Sequence, residues 1–396
     1  MSGLDSTQFA SDERIADFAL SLIREPSPSA DEGRVAALVR AEMERLGLAV
    51  DVDNLGNVVG TVGSGDGPCV LIDAHMDTVG VTQPSDWSHE PFGQIVGGRL
   101  YGRGAMDMKG PLAAAIHGIA GLYGRIPRGR VIVSASIAEE LVEGTALQEI
   151  ARREQPDFVI IGEATALNIA RGQRGRAEIV IEVHGRPTHS SRPEFGINAA
   201  EAMVDVVREL RTLEAPRHPT LGAGILVLTD IKSEPYPALS VVPDRCIAAF
   251  DRRTLPGETE ESVLAPVQAV VERALAGGEA TATVRIAEDD FASYSGAHVV
   301  APNFASAWFF ADEEPIVGGA LRGLTAAGID AALGHYAFCT NGSGTAGRLS
   351  IPTIGFGPGD EELAHRVDEY IEIADLGWAA RGYAAIALAL LEDEGE

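Results

Sequence analysis

The chain has 396 residues, with 31 basic and 58 acidic side chains and a formal net charge of −27. Hydrophobic residues make up 45% of it, which is enough to build one or two buried cores and too many for a disordered chain. The excess of negative charge argues against a nucleic-acid-binding protein and against association with an anionic membrane surface.

The cysteine content and the apolar runs favour a reducing compartment. Cys69, Cys246 and Cys339 are odd in number, lie far apart and form no CxxC pair, so we expect no disulfide framework. The N-terminus lacks a basic region followed by an apolar run, and no uninterrupted apolar run approaches the ~20 residues that span a bilayer. We therefore expect a cytoplasmic protein that does not contact a membrane.

The first part of the chain has the pattern of an α/β fold. Apolar residues at helical spacing predict helices over 12–23 and 31–46. Strands are predicted at 57–62 and 69–74, and the second is apolar throughout, as in a strand buried on both faces. Helices and strands then alternate, as helix 109–122, strand 131–137, helix 142–154 and strand 158–162. This alternation indicates a mainly parallel sheet flanked by helices.

The pattern changes near residue 173. The segment 177–184 alternates apolar and polar residues, as in a sheet with one solvent-facing side. The elements predicted from there are strand 177–184, helix 197–213, strands 224–231 and 245–253, helix 262–276 and strand 280–287. This order suits an α+β unit of the split-βαβ kind.

The α/β pattern resumes near residue 290, with a strand predicted at 351–356 and a closing helix at 371–391. We therefore predict an α/β domain in two segments, 1–173 and 291–396, and an inserted α+β domain at 174–290.

Acidic and histidine side chains follow several predicted strands or precede a helix. They are His75, Asp77, Asp107, Glu139, Glu140, Glu163 and His365. Ligands of open α/β sheets bind beyond the carboxyl ends of the strands, so these side chains should lie together. Five clustered carboxylates would repel one another unless one or two divalent cations were bound among them. Imidazole and carboxylate together favour Zn²⁺, Mn²⁺ or Co²⁺ over Ca²⁺ or Mg²⁺.

The stretches around these residues resemble the metal-site motifs of the M20 metallopeptidase and amidase family, in the same order along the chain. The stretches are HADTV at 75–79, GRGAMDMKG at 102–110, EE at 139–140, GEAT at 162–165 and AHRVDE at 364–369. Three stretches of the insertion are similar to that family's dimerisation domain, namely PTHSS at 187–191, GINA at 196–199 and DRRTLPGE at 251–258. The stretches at 171–176 and 340–342 resemble its YgeY-like branch.

The resemblance implies a centre for one or two divalent transition metal ions. Asp107 would bridge the two ions. His75 and Glu163 would complete one site, and Glu140 and His365 would complete the other.

The resemblance also implies the catalytic groups. Asp77 would hold the His75 ring in its metal-binding tautomer. Glu139 would be the general base that takes a proton from a metal-bound water and passes it to the leaving nitrogen. His189 would reach from the partner subunit's inserted domain to stabilise the oxyanion.

Substrate binding is implied for residues of the insertion and for one asparagine of the second α/β segment. Arg253 would hold a substrate carboxylate through its guanidinium group. Many family members have an asparagine thirteen residues before this arginine, and Ser240 stands there in this chain. Asn198 and Asn341 lie in stretches that carry the resemblance, and they are further candidates for substrate contacts.

Ordinary structural roles remain open for several of these residues. Asp107 could cap the helix that follows it, and Glu139 and Glu140 could be the acidic residues that favour a helix start. His189 could be an exposed loop residue, and Arg253 could be an ion-pair partner of a neighbouring carboxylate.

We therefore expect a metal-dependent hydrolase that cleaves an amide or ureide C–N bond in a small carboxylated substrate. One alternative is a deaminating aminohydrolase that releases an amine or ammonia from an activated carbon. An alternative of another class is a catalytically silent homologue that binds a small molecule. The inserted domain should form a homodimer through its edge strands, alone or within a larger assembly.

Overall fold

The computed structural model describes residues 9–126 and 128–392, so part of the N-terminal segment considered above lies outside it. The chain forms two compact units. The α/β unit comprises Met1–Gln173, Asp290–Ala301 and Trp308–Glu396, and the inserted unit comprises Arg174–Asp289 and Pro302–Ala307. Residues 302–307, which the sequence pattern places in the second α/β segment, join the inserted unit instead. The reason is that Phe304 and Ala305 pair with one of its strands.

The described residues form eight α-helices. They are α1 (Asp12–Ile23), α2 (Gly33–Arg45), α3 (Gly110–Ala120), α4 (Thr145–Glu154), α5 (Ala199–Leu210), α6 (Glu260–Leu275), α7 (Pro315–Ala326) and α8 (Ile373–Glu392). The helix predicted over 12–23 coincides with α1, which the Ser11 side chain caps by accepting a hydrogen bond from the Arg14 amide. Three glycines, Gly318, Gly319 and Gly323, obscure α7 in the sequence.

The strands vary from two to ten residues in length. In chain order they are β1 (Ala49–Val52), β2 (Val58–Ser64), β3 (Cys69–His75), β4 (Gln94–Val96), β5 (Arg99–Tyr101), β6 (Gly129–Ser136), β7 (Phe158–Ile161), β8 (Ile169–Gln173), β9 (Gly175–His184), β10 (Arg217–His218), β11 (Gly222–Ala223), β12 (Ile225–Glu234), β13 (Arg245–Thr254), β14 (Thr281–Ile286), β15 (Glu288–Ala292), β16 (His298–Pro302), β17 (Phe304–Ala305), β18 (Trp308–Phe309), β19 (Leu333–Tyr336), β20 (Thr353–Gly355) and β21 (Tyr370–Glu372).

The α/β unit is built on a nine-stranded sheet in the order β1-β2-β6-β3-β7-β20-β8-β18, with β19 beside β8. Its four central strands, β6, β3, β7 and β20, are parallel. The strands at both edges add antiparallel pairs. The prediction of a mainly parallel sheet flanked by helices is confirmed, and it holds for the centre of the sheet.

Both faces of this sheet are covered, which explains why β3 is apolar along its length. Val70 and Ile72 belong to the main core with residues of α1, α2, α3, α7 and α8. Leu71 faces the other way, into a smaller core with Leu147 and Ile150 of α4. Successive residues of a strand point to opposite faces, so an apolar run is needed when both faces are buried.

The closing helix α8 is long and apolar enough to cross a membrane by length and composition. However, 67% of its most apolar 18-residue window is buried within the protein. Tyr383, Ile386 and Leu390 lie in the main core of the α/β unit. The apolar character of α8 is therefore that of a core helix.

The inserted unit has an antiparallel sheet in the order β12-β13-β9-β14, with β17 also paired to β9. Its core joins Ile179 and Ile181 of β9 to Val206 of α5 and Val270 of α6. Strands and helices follow one another as β9, α5, β12, β13, α6 and β14, which confirms the predicted split-βαβ order. β12 and β14 are the edge strands of this sheet.

Candidate metal centre and active site

The carboxyl ends of the central parallel strands bring the predicted ligands of the α/β unit together. In the sheet register, His75 at the end of β3 lies opposite Ser136 at the end of β6, and Asp73 lies opposite Ile161 at the end of β7. The loops after these strands therefore begin at one edge of the sheet. They carry Asp77, Glu139, Glu140 and Glu163.

The His75 ring contacts acidic groups through both nitrogens. Its Nε2 atom lies 3.1 Å from Asp107 Oδ1 and 3.3 Å from Glu163 Oε1. Its Nδ1 atom lies 2.9 Å from the Asp77 carbonyl oxygen and 3.4 Å from Asp77 Oδ1. An Nδ1–H group would donate a hydrogen bond to Asp77, and Nε2 would then be the electron-pair donor that faces the two carboxylates.

Asp107 lies between two histidine–carboxylate clusters of candidate ligands. Its Oδ2 atom is 3.1 Å from His365 Nε2, while Oδ1 faces His75. His365 Nε2 is also 3.0 Å from Glu140 Oε1. Asp107 belongs to a short irregular helical turn, Ala105–Lys109, in which its own φ and ψ are extended. The two oxygens of one carboxylate thus point to two different histidines.

The donor atoms are spaced as ligands of a common cation would be. One atom each from His75, Asp107 and Glu140 lie within 4.8 Å of one another, and so do atoms of His75, Glu139 and Glu163. Two atoms bound tetrahedrally at about 2.1 Å from one ion are about 3.4 Å apart, close to the 3.0–3.3 Å contacts of the two histidines. The residues present therefore fit divalent metal ions.

The ionisation of these residues supports the same conclusion. Burial disfavours a charged His75, but hydrogen bonds led by that to Asp107 raise its pKa well above the usual value. Hydrogen bonds to Asp107 and Glu140 raise the pKa of His365 to about 10. Burial and the Asp107 carboxylate raise the pKa of Glu163 to about 7. A site that attracts protons so strongly takes up positive charge, which a metal ion can supply in their place.

Glu139 is a buried carboxyl group of the site with an uncommitted oxygen. Its side chain is 6% exposed, and Oε1 is buried without a hydrogen-bond partner among the described residues. Burial is the main cause that raises the pKa of Glu139 well above its usual value, and the neighbouring Glu163 and Glu140 carboxylates add to it. A carboxyl group that is shielded from water and disfavours its charged form is suited to accept and return a proton.

Two further carboxylates hold the backbone that carries the ligands. Asp77 accepts hydrogen bonds from the amides of Glu139 and Glu140, at 3.0 and 3.1 Å. Glu369 accepts hydrogen bonds from the amides of Met106 and Asp107, at 3.0 and 3.1 Å. The motif at 364–369 contains Glu369, but its sequence gives this residue no role. Its partners lie more than 260 positions away, so only the fold shows them.

Arg103 connects Glu369 to the loop of the second histidine. Its guanidinium group pairs with Glu369 and donates a hydrogen bond to the His365 carbonyl oxygen at 3.1 Å. In the sequence, Arg103 is only one residue of the motif at 102–110. An arginine that follows a glycine in a loop carries no local signal of this buried ion pair.

The structure buries the Asn341 side chain among residues of the α/β unit. It is 2% exposed, and its Oδ1 atom accepts a hydrogen bond from the Gly144 amide at 2.7 Å. Its Nδ2 atom donates to Asp73 Oδ2 at 2.9 Å and to Ser136 Oγ at 3.0 Å. The predicted substrate contact is not what this geometry provides, because the amide is engaged on both sides within the α/β unit.

The other predicted residues belong to the inserted unit. His189 is exposed, and its loop meets that of Ser240, whose carbonyl oxygen accepts a hydrogen bond from the Ser190 amide at 2.9 Å. Arg253 on β13 has its Nε atom 2.9 Å from Asp251 Oδ1. Both this ion pair and the open position of His189 agree with the ordinary structural alternatives.

Asn198 also has a structural function. It is the N-cap residue of α5, and its Oδ1 atom accepts hydrogen bonds from the amides of Ala200 and Glu201, at 3.0 and 3.3 Å. Such a cap satisfies backbone donors at the helix start. Its oxygen is therefore committed to the helix.

The chain is similar to curated relatives over nearly its whole length. It is 34% identical to the uncharacterized protein YgeY of Escherichia coli over 388 residues, which cover 95% of this chain and 94% of the relative. It is 28% identical to the acetylornithine deacetylase of Buchnera aphidicola over 324 residues, which cover 80% of this chain and 79% of that enzyme.

Solved structures share the fold. A dinuclear metal-binding peptidase of the M20 family from Bacillus subtilis superposes with a TM-score of 0.73 at 16% sequence identity. The superposition covers 98% of this chain and 99% of that protein. The model of peptidase family M20/M25/M40 matches residues 71–389. The chain therefore belongs to peptidase family M20/M25/M40 and is a metal-dependent hydrolase of that family.

Proposed function

We propose that the protein hydrolyses an amide or ureide C–N bond in a small carboxylated molecule. The observation that carries this proposal is the buried Oε1 atom of Glu139, without a partner among the described residues, beside two histidine–carboxylate clusters. The relative named acetylornithine deacetylase supports an N-acyl amino acid as the kind of substrate. Membership of an enzyme family argues against the silent binding homologue.

Two divalent transition metal ions, Zn²⁺, Mn²⁺ or Co²⁺, fit the donor set. We propose that His75, Asp107 and Glu163 hold one ion and that Asp107, Glu140 and His365 hold the other. The Bacillus subtilis neighbour is a dinuclear metal-binding peptidase, which supports two sites. When bound, such ions polarise the substrate carbonyl and lower the pKa of water.

Glu139 moves the proton that the reaction requires. It accepts one proton from the attacking water while the water oxygen bonds to the carbonyl carbon. It then delivers that proton to the nitrogen as the C–N bond breaks, so that an acid and an amine are released and Glu139 returns to its starting state. Because burial raises the pKa of Glu139, its carboxylate is a stronger proton acceptor than an ordinary exposed carboxylate.

The inserted unit would supply the remaining groups. We propose that Arg253, assisted by Ser240 and the amide nitrogen of Asn198, binds the substrate carboxylate. The partner subunit's His189 would stabilise the oxyanion. The family resemblance of the stretches that contain these residues supports the assignments.

We propose a homodimer formed through the inserted unit. The edge strand β12 exposes Ile225, Val227 and Ile231, which are 38%, 50% and 47% exposed, and Val204 of α5 is 61% exposed. Two copies of such an edge can pair about a two-fold axis and bury these side chains.

We propose the cytoplasm as the compartment. The three cysteines are buried, and burial is the main cause that raises the pKa of the Cys69 thiol to about 11. Buried thiols of this kind are inert and fit a reducing environment.

A screen of N-acyl and N-carbamoyl amino acids with added Zn²⁺, Mn²⁺ or Co²⁺ tests the function, with the released amine and ammonia measured separately. Amine release from an N-acyl amino acid, lost in Glu139→Gln, is the expected result. Aromatic amino acids without an acyl or carbamoyl group are included in the screen, and ammonia released from them would instead indicate the aminohydrolase alternative. Turnover that persists in Glu139→Gln would refute the role of Glu139.

A further inference from the structure

Four consecutive backbone amides, from Ile137 to Glu140, are each bound by a side-chain oxygen. The Ile137 amide donates a hydrogen bond to Asn57 Oδ1 and the Ala138 amide donates one to Glu32 Oε1, both at 3.0 Å. The Glu139 and Glu140 amides donate to Asp77 Oδ1 and Oδ2, at 3.0 and 3.1 Å. Asn57, Glu32 and Asp77 are all fully buried. The segment that carries the general base is therefore held through its backbone by three side chains from elsewhere in the α/β unit.

This segment needs such support because it belongs to no regular element. β6 ends at Ser136 and α4 begins at Thr145, so the amides of residues 137–140 lie outside the backbone hydrogen bonds of both the strand and the helix. Ala138 has a φ of +52°, in the left-handed region that residues with a Cβ atom seldom adopt. A strained conformation persists only when surrounding contacts determine it.

Glu32 is the residue whose side chain accepts the hydrogen bond from the Ala138 amide. It lies at the N-terminal end of α2, 106 positions from Ala138, and its Oε1 atom also accepts a hydrogen bond from the Ala30 amide at 3.0 Å. Its Oε2 atom is buried without a hydrogen-bond partner among the described residues. One oxygen of Glu32 therefore joins the loop before α2 to the residue that precedes Glu139.

We propose that Glu32 is a positioning residue for the general base, which acts by holding the Ala138 amide and thereby sets the position of the Glu139 carboxyl group. The proposal rests on the proposed function of Glu139. The Glu32 side chain is fully buried and contacts the Ala138 amide, so its effect passes through the backbone. Misplacement of a catalytic group by about 1 Å can reduce turnover roughly 100-fold, so a small displacement of Ala138 is sufficient.

Glu32→Met and Glu32→Gln test the proposal together. Methionine has a similar length and lacks the acceptor oxygen, whereas glutamine keeps the Oε1 acceptor and replaces only Oε2. We expect Glu32→Met to lower kcat by about 10- to 100-fold with KM within about twofold, and Glu32→Gln to restore most of kcat. A residue that served only as core filling would give the opposite order, since methionine is the more apolar replacement.

Amide hydrogen exchange gives a second readout that does not depend on turnover. In the wild-type protein, the amides of 137–140 should exchange as slowly as those of β6, although they lie outside the strand. Glu32→Met should accelerate exchange at 137–140 at least about tenfold and leave β6 unchanged, and Glu32→Gln should not. The wild-type measurement remains decisive even if Glu32→Met fails to fold.

Asp157→Asn is the control. The Asp157 carboxylate also accepts a hydrogen bond from a backbone amide, that of Cys69 at 2.7 Å, but at the opposite end of β3. It should leave both kcat and the exchange of 137–140 unchanged. Fast exchange at 137–140 in the wild type, or unchanged kcat and exchange in Glu32→Met, would overturn the proposal. Absence of any C–N hydrolysis by the wild type would instead refute the proposed function, and the exchange result would still decide whether Glu32 holds the segment.

Discussion

Replacement of Asn341 by leucine tests whether this buried amide belongs to the framework of the α/β unit. The side chain is 2% exposed and makes three hydrogen bonds, to Gly144, Asp73 and Ser136. Leucine has a similar volume and no polar atom, so the substitution removes all three bonds without opening a large cavity.

The expected cost follows from the two buried groups that lose their partner. The Gly144 amide would remain buried without an acceptor, at a cost of about 1–3 kcal/mol. The buried Asp73 carboxyl would lose one of its three side-chain donors, and a hydrogen bond to a charged group contributes about 1.5–3 kcal/mol. We therefore expect the free energy of unfolding to fall by about 3–5 kcal/mol, against a total of about 5–15 kcal/mol for a typical domain.

Denaturant unfolding monitored by tryptophan fluorescence measures the free energy of unfolding of the α/β unit. The three tryptophans, Trp87, Trp308 and Trp378, all belong to the α/β unit. Asn168→Leu is the matched control, since the Asn168 side chain also makes three hydrogen bonds, to the backbone of Thr165, Ala166 and Ala332. It is half-buried, so water can replace its partners, and we expect a loss of only about 1 kcal/mol.

A different result would contradict the framework role of Asn341. If the free energy of unfolding of Asn341→Leu lies within about 1 kcal/mol of the wild-type value while KM rises about tenfold or more, the buried hydrogen bonds do not stabilise the fold as expected. Asn341 would then return to the substrate-binding role that the family resemblance indicates. A loss of stability with KM unchanged supports the framework role.

Further predictions concern the site and the dimer. Glu139→Gln should lower kcat by about 10²- to 10⁴-fold and leave the metal content unchanged by elemental analysis, because Glu139 is proposed to move protons. A chelator should lower the Tm, since metal at about 100 times its Kd stabilises the native state by about 2.7 kcal/mol; an unchanged Tm and activity would exclude a resident metal. Val227→Glu with Ile231→Glu should give monomers in sedimentation, whereas Thr281→Glu on the opposite edge should not. Arg253→Ala should raise KM at least about tenfold in steady-state kinetics with kcat changed much less; an unchanged KM would leave Arg253 as an ion-pair partner of its neighbour.

The parts of the fold that can be predicted from the sequence are those fixed by local pattern. The bounds predicted for α1 agree with the structure because its apolar residues recur at helical spacing and Ser11 caps it. β3 is recognisable because a strand between two layers of helices must be apolar throughout. The candidate metal-binding residues can be predicted from a rule of topology, which says that open α/β sheets bind small molecules and ions at the carboxyl ends of their strands.

The parts that cannot be predicted depend on distant partners. Asn341 is a candidate for substrate binding because the stretch at 340–342 carries the family resemblance, but its hydrogen bonds to Asp73 of β3 and Ser136 of β6 depend on the tertiary fold. An alanine at position 138 gives no local signal of a positive φ, which glycine or asparagine would have given. Glu32 lies 45 positions before Asp77 and 106 before Ala138, so no spacing in the sequence connects the three.

The supporting residues also bear on how many metal ions the site can hold. Carboxylates that bind backbone amides add negative charge to a centre that already contains several acidic ligands. The basic side chains Arg103 and Lys109 accompany six carboxylates, which are Asp77, Asp107, Glu139, Glu140, Glu163 and Glu369. With the imidazoles of His75 and His365 neutral, these groups sum to a charge of about −4, and buried charge of that size is costly unless it is compensated.

Two divalent ions would neutralise this charge fully. One ion would leave a charge of about −2, which protons on His365 or Glu163 would have to balance, since the pKa values of both groups are raised. Two ions therefore balance these eight groups without added protons, and filling of the second site is predicted to release protons near neutral pH.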